Sequence, residues 1–412
     1  MPFTIRPVTS DELLAWYESL ASTFFIWGYD PEASASRPSA LEHLDRRIGA
    51  FDGDRIVGTY RTFGTELTMP GGRTIPVSAV SAVSTRSTDR RRGVLSELVE
   101  DDIARGVARG DVASVLLAAE WPIYGRYGYG PATWQGRWTL RTRAASFRTE
   151  PSGSMEILNA AAARPIVEAL YDRYRVRQPG EIRRPVSYWD QDLGIAPPPG
   201  KSKWKGVVAV HHDDAGAVDG FVRYSGEEHW DDGIPDNVAV LEDLFATSTA
   251  AEVELWRFLS SLDLVATVRV RKARTSEPFA WYLEDARAMQ LAQMEEALWV
   301  RPYDVPRLLA SRAYDREADL VVEIDDRVNG TTGPAAGRFR LEAGPDGSSC
   351  DSTTKPAEVT ISAAALGAAI LGGSRLVDAT RAGGAAEARP GALLELDRLL
   401  RTDDVPYCST QF

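Results

Sequence analysis

The sequence predicts an α/β protein in which two domains with mixed sheets are followed by a third, smaller α+β domain. Its 412 residues exceed the length of one ordinary domain. Runs that alternate small and β-branched residues separate helical patterns, and the strand, helix, strand order of residues 77–119 returns in residues 238–270. From residue 298 the pattern changes, and three strands precede two apolar helices. We therefore expect domains at residues 1–150, 151–297 and 298–412.

The composition indicates a globular protein of the cytoplasm. The net charge is -12 with no long basic run, which argues against nucleic acid as the main partner. Two cysteines, Cys350 and Cys408, are too few for a disulfide framework and favour a reducing compartment. The N-terminus lacks the apolar core of a signal peptide, and no run is long enough to cross a membrane. We expect no membrane partner.

The first domain opens with a short strand and a capped helix, and a hairpin follows. The predicted elements are a strand at Phe3–Arg6, a helix capped by Thr9 or Ser10, a hairpin of Ile48–Phe51 and Ile56–Tyr60 around the turn Asp52–Asp54, a further strand ending at Met69, and a turn at Pro70–Arg73. After residue 130, the run ATWQGRWTLRT is predicted to be the closing strand of this domain.

The centre of the first domain is the stretch from Val77 to Gly130. A strand at Val77–Thr85 leads through the sequence RRRGVL into a helical pattern, and Ser114–Ala119 forms a second, buried strand. Gly93 permits close approach of a ligand to the backbone, and the free N–H groups of a helix N-terminus point outward there. Flanked by three arginines, this helix start predicts an anion site suited to a pyrophosphate.

The order strand, R-x-x-G-x loop, helix and strand resembles motif A of the GNAT N-acetyltransferases, which bind acetyl-CoA. The longer strings AVSTRSTDRRRGVL and IYGRYGYGPAT (Ile123–Thr133) resemble the Eis ("enhanced intracellular survival") family of actinobacterial acetyltransferases. This resemblance implies an acetyl-CoA-dependent N-acetyltransferase without a metal. The four histidines, His43, His211, His212 and His229, show no metal-ligand spacing, and we expect them to lie apart from the site.

The resemblance also implies which residues bind the cosubstrate. Backbone groups of Val83 and Thr85 would pair with the pantetheine amide as an added strand does. The side chains and loop that would bind the pyrophosphate are Arg90, Arg91, Arg92 and Gly93.

Acetyl transfer to an amine requires a proton for the departing thiolate. A thiol has a pKa of about 8.5, so a neutral tyrosine hydroxyl near the sulfur can supply that proton. The loop offers three tyrosines, and the resemblance assigns the general acid to Tyr124, whereas Tyr127 and Tyr129 are expected to pack in the core. In the family the C-terminal carboxylate enters the active site, and the terminal residue is Phe, as Phe412 is here. That carboxylate would orient the amine.

Residues 23–32 are rich in aromatic and acidic side chains, and the resemblance implies that this segment borders the acceptor pocket. Trp27, Asp30 and Glu32 could hold a cationic amine through cation–π and charge contacts. The implied acceptors are polycationic, an aminoglycoside or a protein lysine. The sequence shows no Cys–His nucleophile of the kind that a ping-pong reaction would use. We therefore expect direct attack by the amine.

The second and third domains are expected to be structural. The second repeats the first, but ATSTAA (Ala246–Ala251) replaces RRRG, so its helix can be capped by Ser248 or Thr249 and cannot hold a pyrophosphate. The third resembles the sterol-carrier-protein-like domain of Eis chains, and its Ala/Gly/Leu-rich helix is expected to be core. The family forms hexamers, so a homo-oligomer is implied.

Two other functions stay open at this point. A non-catalytic scaffold or lipid carrier would bind no CoA and would contain a continuous apolar cavity between residues 301 and 412. An acetyltransferase for a small metabolite amine would have an uncharged acceptor pocket.

Overall fold

The computed structural model describes residues 3–26, 28–150, 152–381 and 383–412. Up to residue 150 the strands and helices are β1 (Thr4–Pro7), α1 (Leu13–Thr23), α2 (Pro31–Ala35), α3 (Pro38–Leu41), β2 (Arg47–Asp52), β3 (Arg55–Thr68), β4 (Thr74–Thr85), α4 (Val94–Arg109), β5 (Ala113–Leu117), α5 (Trp121–Tyr124), β6 (Gly130–Pro131) and β7 (Trp134–Arg141). The predicted hairpin, turn, central strand and following helix are confirmed, and the strand ending near Met69 is the continuation of β3.

The middle of the chain repeats this plan. Its elements are β8 (Ser154–Leu158), α6 (Ala160–Arg175), α7 (Val186–Asp192), β9 (Val207–His212), β10 (Val218–Glu227), β11 (Trp230–Asp231), β12 (Ile234–Pro235), β13 (Asn237–Ala246), α8 (Thr249–Ser260), β14 (Val265–Ala273), β15 (Met289–Glu296) and β16 (Leu298–Pro302). Ile157 and Leu158 belong to strand β8, and the Asn159 side chain caps α6 by accepting from the Ala162 N–H at 3.0 Å.

The last part contains α9 (Val305–Ala310), β17 (Ala318–Asp325), β18 (Arg327–Val328), β19 (Thr331–Thr332), β20 (Gly337–Gly344), β21 (Gly347–Ser352), β22 (Val359–Ser362), α10 (Ala363–Ala369), α11 (Leu376–Ala379), β23 (Ala385–Glu387) and α12 (Ala392–Leu399). Short 3-10 helices lie at Ser10–Glu12, Leu44–Arg46, Ser87–Asp89, Gly125–Tyr127, Thr142–Ala144, Pro278–Tyr282 and Ala286–Ala288.

The two large sheets exchange strands. The first has the order β1-β2-β3-β4-β5-β16-β6, and the second has the order β15-β7-β14-β13-β10-β9-β8. Strand β7, predicted to close the first domain, therefore lies in the second sheet, while β16 enters the first sheet between β5 and β6. Alternation along a strand predicts its buried face but not its neighbours. The exact domain boundaries stay a prediction.

The third part packs on the first sheet through one continuous core. Its five-stranded sheet has the order β21-β20-β17-β22-β23, and its buried side chains join those of β3, β4, β5 and β16 in one cluster. Helix α10 approaches β6 and β16 so closely that a Cβ on Gly130 or Gly367 would overlap a backbone carbonyl. Six of the seven residues of α10 are buried. The prediction that this helix is core is therefore confirmed.

Among the described residues, no helix combines the length and apolar character needed to cross a membrane.

Candidate active site

A cavity of about 1930 Å³ opens along the face of the first sheet where β4 and β5 separate. It is bounded by α1, the start of α4, the loop after β5, residues 183–201 of the second part and the chain terminus. The parallel pairing of β4 with β5 ends at Val80 and Leu116, although β4 continues for five more residues. The backbone of residues 81–85 therefore has an edge with no β5 partner.

A β-bulge shapes this part of β4. Ala82 and Val83 together lie opposite the single residue Tyr60 of β3, and Ala82 has a left-handed φ of 54°. The Thr59 hydroxyl holds the bulge by donating to the Ala82 carbonyl at 2.8 Å. Val83 and Thr85, the residues predicted to pair with pantetheine, both line the cavity. Alternate residues of a strand direct their backbone groups to the same side, so the two can act together.

The start of α4 lies at one end of the cavity. Gly93 occupies the N-cap with φ of 89°, and nothing lies within 4 Å of the position of a Cβ there. Arg90, Arg91 and Gly93 line the cavity, as predicted for a pyrophosphate site. Among the described residues, neither arginine forms an ion pair within 4.0 Å. This helix N-terminus thus combines free N–H groups with two unpaired cations, a combination suited to phosphate.

Arg92 is placed differently. Its guanidinium donates to the Asp89 carboxylate at 2.5 Å and to Asp52 at 3.1 Å, and it lies 4.8 Å from the Phe3 ring centroid. Asp89 is buried; desolvation raises its pKa, but hydrogen bonds from Arg55, Thr88 and Arg92 outweigh this effect and lower the pKa overall. Arg92 does not belong to the cavity lining, and its contacts fix the loop that carries Arg90 and Arg91.

Tyr124, at the end of α5, lines the cavity opposite this edge of β4. Its side chain is 8% exposed, and no hydrogen bond to its hydroxyl occurs within the described part of the chain. Burial, with smaller contributions from Tyr127 and Glu120, raises the pKa of Tyr124 to about 12. The phenol is therefore neutral at physiological pH and free to donate.

The other two tyrosines of the loop have partners. The Tyr127 hydroxyl is 3.0 Å from the Ser96 hydroxyl, and the Tyr129 hydroxyl is 2.8 Å from the Ser114 hydroxyl. Both rings are fully buried, and the Tyr129 ring packs edge-on against Tyr124 with centroids 5.8 Å apart. This agrees with the expectation that both pack in the core.

The chain terminus enters the same cavity. Gln411 and Phe412 line it, and the Phe412 ring packs edge-on against Phe63 with centroids 5.5 Å apart. Within the described residues, no cation lies within ion-pair distance of the terminal carboxylate. The cavity therefore contains the two groups predicted to be catalytic, Tyr124 and the Phe412 carboxylate.

The tail that ends in Phe412 is held by residues of the second part. The Ser409 N–H contacts both carboxylate oxygens of Glu181 at 3.1 Å, and the Arg184 guanidinium donates to the Ser409 hydroxyl at 3.2 Å. The Tyr171 hydroxyl donates to Glu181 at 2.9 Å and is 3.1 Å from the Thr410 hydroxyl. These buried polar contacts position the terminal residue, and sequence reasoning did not identify Glu181 or Arg184.

Two of the predicted acceptor residues, Asp30 and Glu32, do not belong to the cavity lining. Trp27 lies outside the described residues. Asp30 caps α2 by accepting from the Ala33 N–H at 2.9 Å, and neither Asp30 nor Glu32 lines the cavity. Conversely His43, which we expected to lie apart from the site, borders the cavity.

The buried thiol of Cys408 lies outside the cavity lining. Burial raises its pKa, so it stays neutral and is a poor nucleophile. This favours direct attack by the amine.

The second sheet has a carboxylate where the first has arginines. Ser248 caps α8, as predicted, by accepting from the Ala251 N–H at 3.1 Å, and it donates to Asp219 at 2.5 Å. The other Asp219 oxygen is 2.6 Å from His211. An anionic side chain at this helix start repels phosphate, which agrees with the prediction that the second domain is degenerate.

Models of known families match three stretches of the chain. Two, both described as an acetyltransferase (GNAT) domain, match residues 4–132 and 180–302. A sterol carrier protein domain model matches residues 305–409.

Relatives match over most or all of the chain. It is 36% identical to an uncharacterized N-acetyltransferase of Streptomyces griseus over 423 aligned residues, which cover 100% of both chains. It is 29% identical over 338 residues to N-acetyltransferase Eis of Mycobacterium tuberculosis, covering 80% of this chain and 79% of that one.

Solved structures match the whole fold. The crystal structure of Eis1 from Mycobacterium abscessus is similar with a TM-score of 0.85 and 28% identity, covering 99% of this chain and 100% of that one. A GCN5-related N-acetyltransferase from Anabaena variabilis, at 17% identity, a TM-score of 0.84 and full coverage of both chains, shares the fold.

Proposed function

This chain belongs to the Eis-like GNAT N-acetyltransferases, and we propose that it transfers the acetyl group of acetyl-CoA to a primary amine in the cavity described above. GNAT enzymes use acetyl-CoA as the acetyl donor. The features that support its binding here are the free edge of β4 and the start of α4. In this proposal Val83 and Thr85 bind the pantetheine, Arg90, Arg91 and Gly93 bind the pyrophosphate, and Arg92 fixes the loop through Asp89.

The proposed chemistry is direct transfer. The amine nitrogen attacks the thioester carbon, the N–C bond forms and the C–S bond breaks. The nitrogen loses a proton to solvent, the sulfur gains one, and solvent returns a proton to the donor of the latter. Tyr124 donates the proton to the sulfur. The same burial that raises the pKa of the phenol also raises that of a thiolate formed beside it, so the transfer is less unfavourable than the reference values suggest.

The Phe412 carboxylate orients the amine by accepting a hydrogen bond from it. With a pKa of about 3.5, a free α-carboxylate is ionised at neutral pH but is a weak base. Its role is therefore positioning, and the tail contacts to Glu181 and Arg184 preorganise it.

The observation that carries this proposal is the Tyr124 hydroxyl, which has no hydrogen-bond partner among the described residues and belongs to the same cavity as the arginine-flanked start of α4. The test is release of CoA from acetyl-CoA with a panel of amines, for the wild type, Tyr124→Phe and a variant that lacks Phe412. We expect Tyr124→Phe to lower kcat by about 10²- to 10⁴-fold, the usual contribution of a general acid.

Tyr129→Phe is the matched control. It removes a hydroxyl from a ring in contact with Tyr124 but outside the cavity lining, so kcat should stay near that of the wild type. Equal activity of wild type and Tyr124→Phe would remove the assignment of the acid.

The cationic acceptor implied by the resemblance stays a prediction. Asp30 and Glu32 do not support it, because they lie outside the cavity lining.

A further inference from the structure

Three arginines at the end of the cavity away from α4 have no acidic partner. Arg37, Arg47 and Arg61, here called the acceptor-end arginines, all line the cavity. Within the described chain, none of their guanidinium groups lies within 4.0 Å of an aspartate or glutamate side-chain carboxylate oxygen. Unpaired arginines in a partly enclosed cavity are costly to retain, because their charge is desolvated without compensation.

The acceptor-end arginines lie close to one another. Arg47 of β2 and Arg61 of β3 are directly opposite in the antiparallel pair, so their side chains emerge on the same face. Tyr29 lines the cavity together with Arg37 and Arg61. Burial raises the pKa of Tyr29, and the Ser34 hydrogen bond and the charges of Arg61 and Arg37 oppose that increase. Like charges directly opposite destabilise a sheet, so this arrangement calls for an anion.

The hydrogen bonds of Arg47 also include no carboxylate partner. Its side chain is almost fully buried, and its terminal nitrogens donate to the carbonyls of Glu42 at 2.6 Å and Ser39 at 2.9 Å. Its Nε is buried and has no hydrogen-bond partner among the described residues. Two carbonyl dipoles thus replace the carboxylate that a buried guanidinium normally has.

The acidic residues of the lining do not supply the missing charge, because most are paired with other arginines. These pairs are Glu66 with Arg175 at 2.9 Å, Asp111 with Arg109 at 3.1 Å, Glu168 with Arg164 at 2.6 Å and Asp192 with Arg184 at 3.2 Å. The negative groups left are the exposed Glu42 and Glu120 and the Phe412 carboxylate. The three acceptor-end arginines therefore outnumber the two negative groups near them, Glu42 and the chain terminus.

Arg61 and the terminal carboxylate are linked by one ring. The Arg61 guanidinium carbon lies 6.0 Å from the Phe63 centroid, and the Phe63 ring also packs edge-on against the Phe412 ring with centroids 5.5 Å apart. Arg61 and the residue that carries the terminal carboxylate thus both lie next to Phe63 in the same cavity. This pair complements a molecule that carries an amine at one end and an anion at the other.

We propose that the acceptor is a small primary amine that also carries a carboxylate or phosphate group, bound with its nitrogen at the Phe412 carboxylate and its anion at Arg61. Arg37 and Arg47 supply supporting positive potential. The arginines near α4 are separate from this site, because they lie at the cosubstrate end. The inference rests on the proposed acetyl transfer and names its substrate class, and it disfavours a polycation, which the acceptor-end arginines would repel.

The test compares amines that carry an anionic group with related amines that lack it, and CoA release is the readout. The probes are O-phosphoethanolamine against ethanolamine, β-alanine against its amide, and spermidine as a polycation. We expect an anionic member to have a kcat/KM at least about tenfold above its neutral partner, since a hydrogen bond to a charged group contributes about ten- to hundredfold in binding. A preference for O-phosphoethanolamine over ethanolamine would indicate a phosphate as the anion, and a preference for β-alanine over its amide would indicate a carboxylate.

The key variant is Arg61→Gln. It should raise KM about ten- to hundredfold for the anionic probe, leave kcat nearly unchanged because the contact is remote from the reacting atoms, and leave the neutral partner unaffected. Arg316→Gln, an exposed arginine of the third part, is the control and should change neither constant. Calorimetric binding of acetyl-CoA to Arg61→Gln, at wild-type affinity, checks that the variant is folded.

The other outcomes separate the two proposals. Preferred turnover of spermidine or the neutral amines, failure of every anionic amine while others react, or equal effects of Arg61→Gln on both members of a pair would overturn the anionic acceptor and leave acetyl transfer standing. Absence of acetyl-CoA binding by the wild type would overturn both.

Discussion

At the scale of single residues, hydrogen-bond partners separate side chains of the same type. Three tyrosines occur within six residues of one loop, and two of them pair with serine hydroxyls in the core. Tyr124 has no such partner, although it is nearly as buried. Because Tyr124 lines the cavity, its free hydroxyl can donate to a ligand there. This difference, rather than the residue type, distinguishes a candidate acid from packing residues.

Glu181, which holds the tail, has consequences for stability. Burial raises its pKa to about 7, with hydrogen bonds from Ser409 and Tyr171 and the charge of Arg184 opposing the increase. An unfolded glutamate has a pKa of about 4.3. Because the folded value is higher, the contribution to stability is fully present below about pH 4 and is lost as the pH rises through about 7.

We predict that Glu181→Gln reduces the pH dependence of stability. The amide oxygen still accepts from the Ser409 N–H but does not ionise, so between pH 5 and pH 8 the variant should lose less free energy of unfolding than the wild type, by about 2–3 kcal/mol. Urea denaturation at both pH values measures this difference. Glu150→Gln, at a side chain that is 92% exposed, should behave as the wild type. Identical pH profiles for wild type and Glu181→Gln would contradict this account.

At the scale of elements, two irregularities shape the proposed cosubstrate site. The bulge at Ala82–Val83 turns the end of β4 away from β5, and a left-handed glycine starts α4. Regular elements would leave no edge and no exposed helix start at this position. Function here depends on where the regular pattern is interrupted.

Gly93→Ala tests the second irregularity. Alanine meets no neighbour there but is strained at φ of 89°, so we predict a loss of about 1 kcal/mol of stability and a several-fold weaker binding of acetyl-CoA. The control is Gly391→Ala, because Gly391 caps α12 with φ of 87° and equally open space, outside the cavity lining. It should lose similar stability and retain cosubstrate affinity in calorimetric titration. Equal affinities for the two variants would show that the conformation of Gly93 is unimportant for binding.

At the scale of the whole molecule, the exchange of β7 and β16 ties the two GNAT domains together. Neither large sheet is complete without a strand from the other half of the chain. The core of the third part continues into the first sheet, and the tail returns to the second part before it enters the cavity. The active site therefore needs all three parts in place.

We predict that the chain unfolds as one unit. Val300→Ala, at a fully buried residue of β16, should cost about 2 kcal/mol and lower the midpoint of a single calorimetric transition. Val107→Ala, at a residue of α4 that is 46% exposed, should leave the midpoint nearly unchanged. Separate transitions, with only one shifted by Val300→Ala, would mean that the domains unfold independently.

The sequence by itself determined most of the elements, and the residues that it predicted for the cosubstrate, apart from Arg92, all line the cavity. Periodicity located the central strand, the helix that follows it and the hairpin before it. The sequence strings around Arg90–Gly93 and Tyr124 identified the family. These features are local, because a helix start, a turn and an alternating strand are each set by residues within a few positions of one another.

Only the tertiary structure decided which residues and strands contact one another. The exchanged strands, the tail contacts to Glu181 and the grouping of Arg37, Arg47 and Arg61 join residues that are distant in the chain, and no spacing in the sequence encodes those distances. For the same reason the sequence assigned Arg92 and Asp30 to ligands. It showed their charges, but it did not show that Arg92 donates to the Asp89 carboxylate or that Asp30 caps α2. Charge is a property of a residue, whereas an unpaired charge is a property of its surroundings, which exist only once the chain has folded.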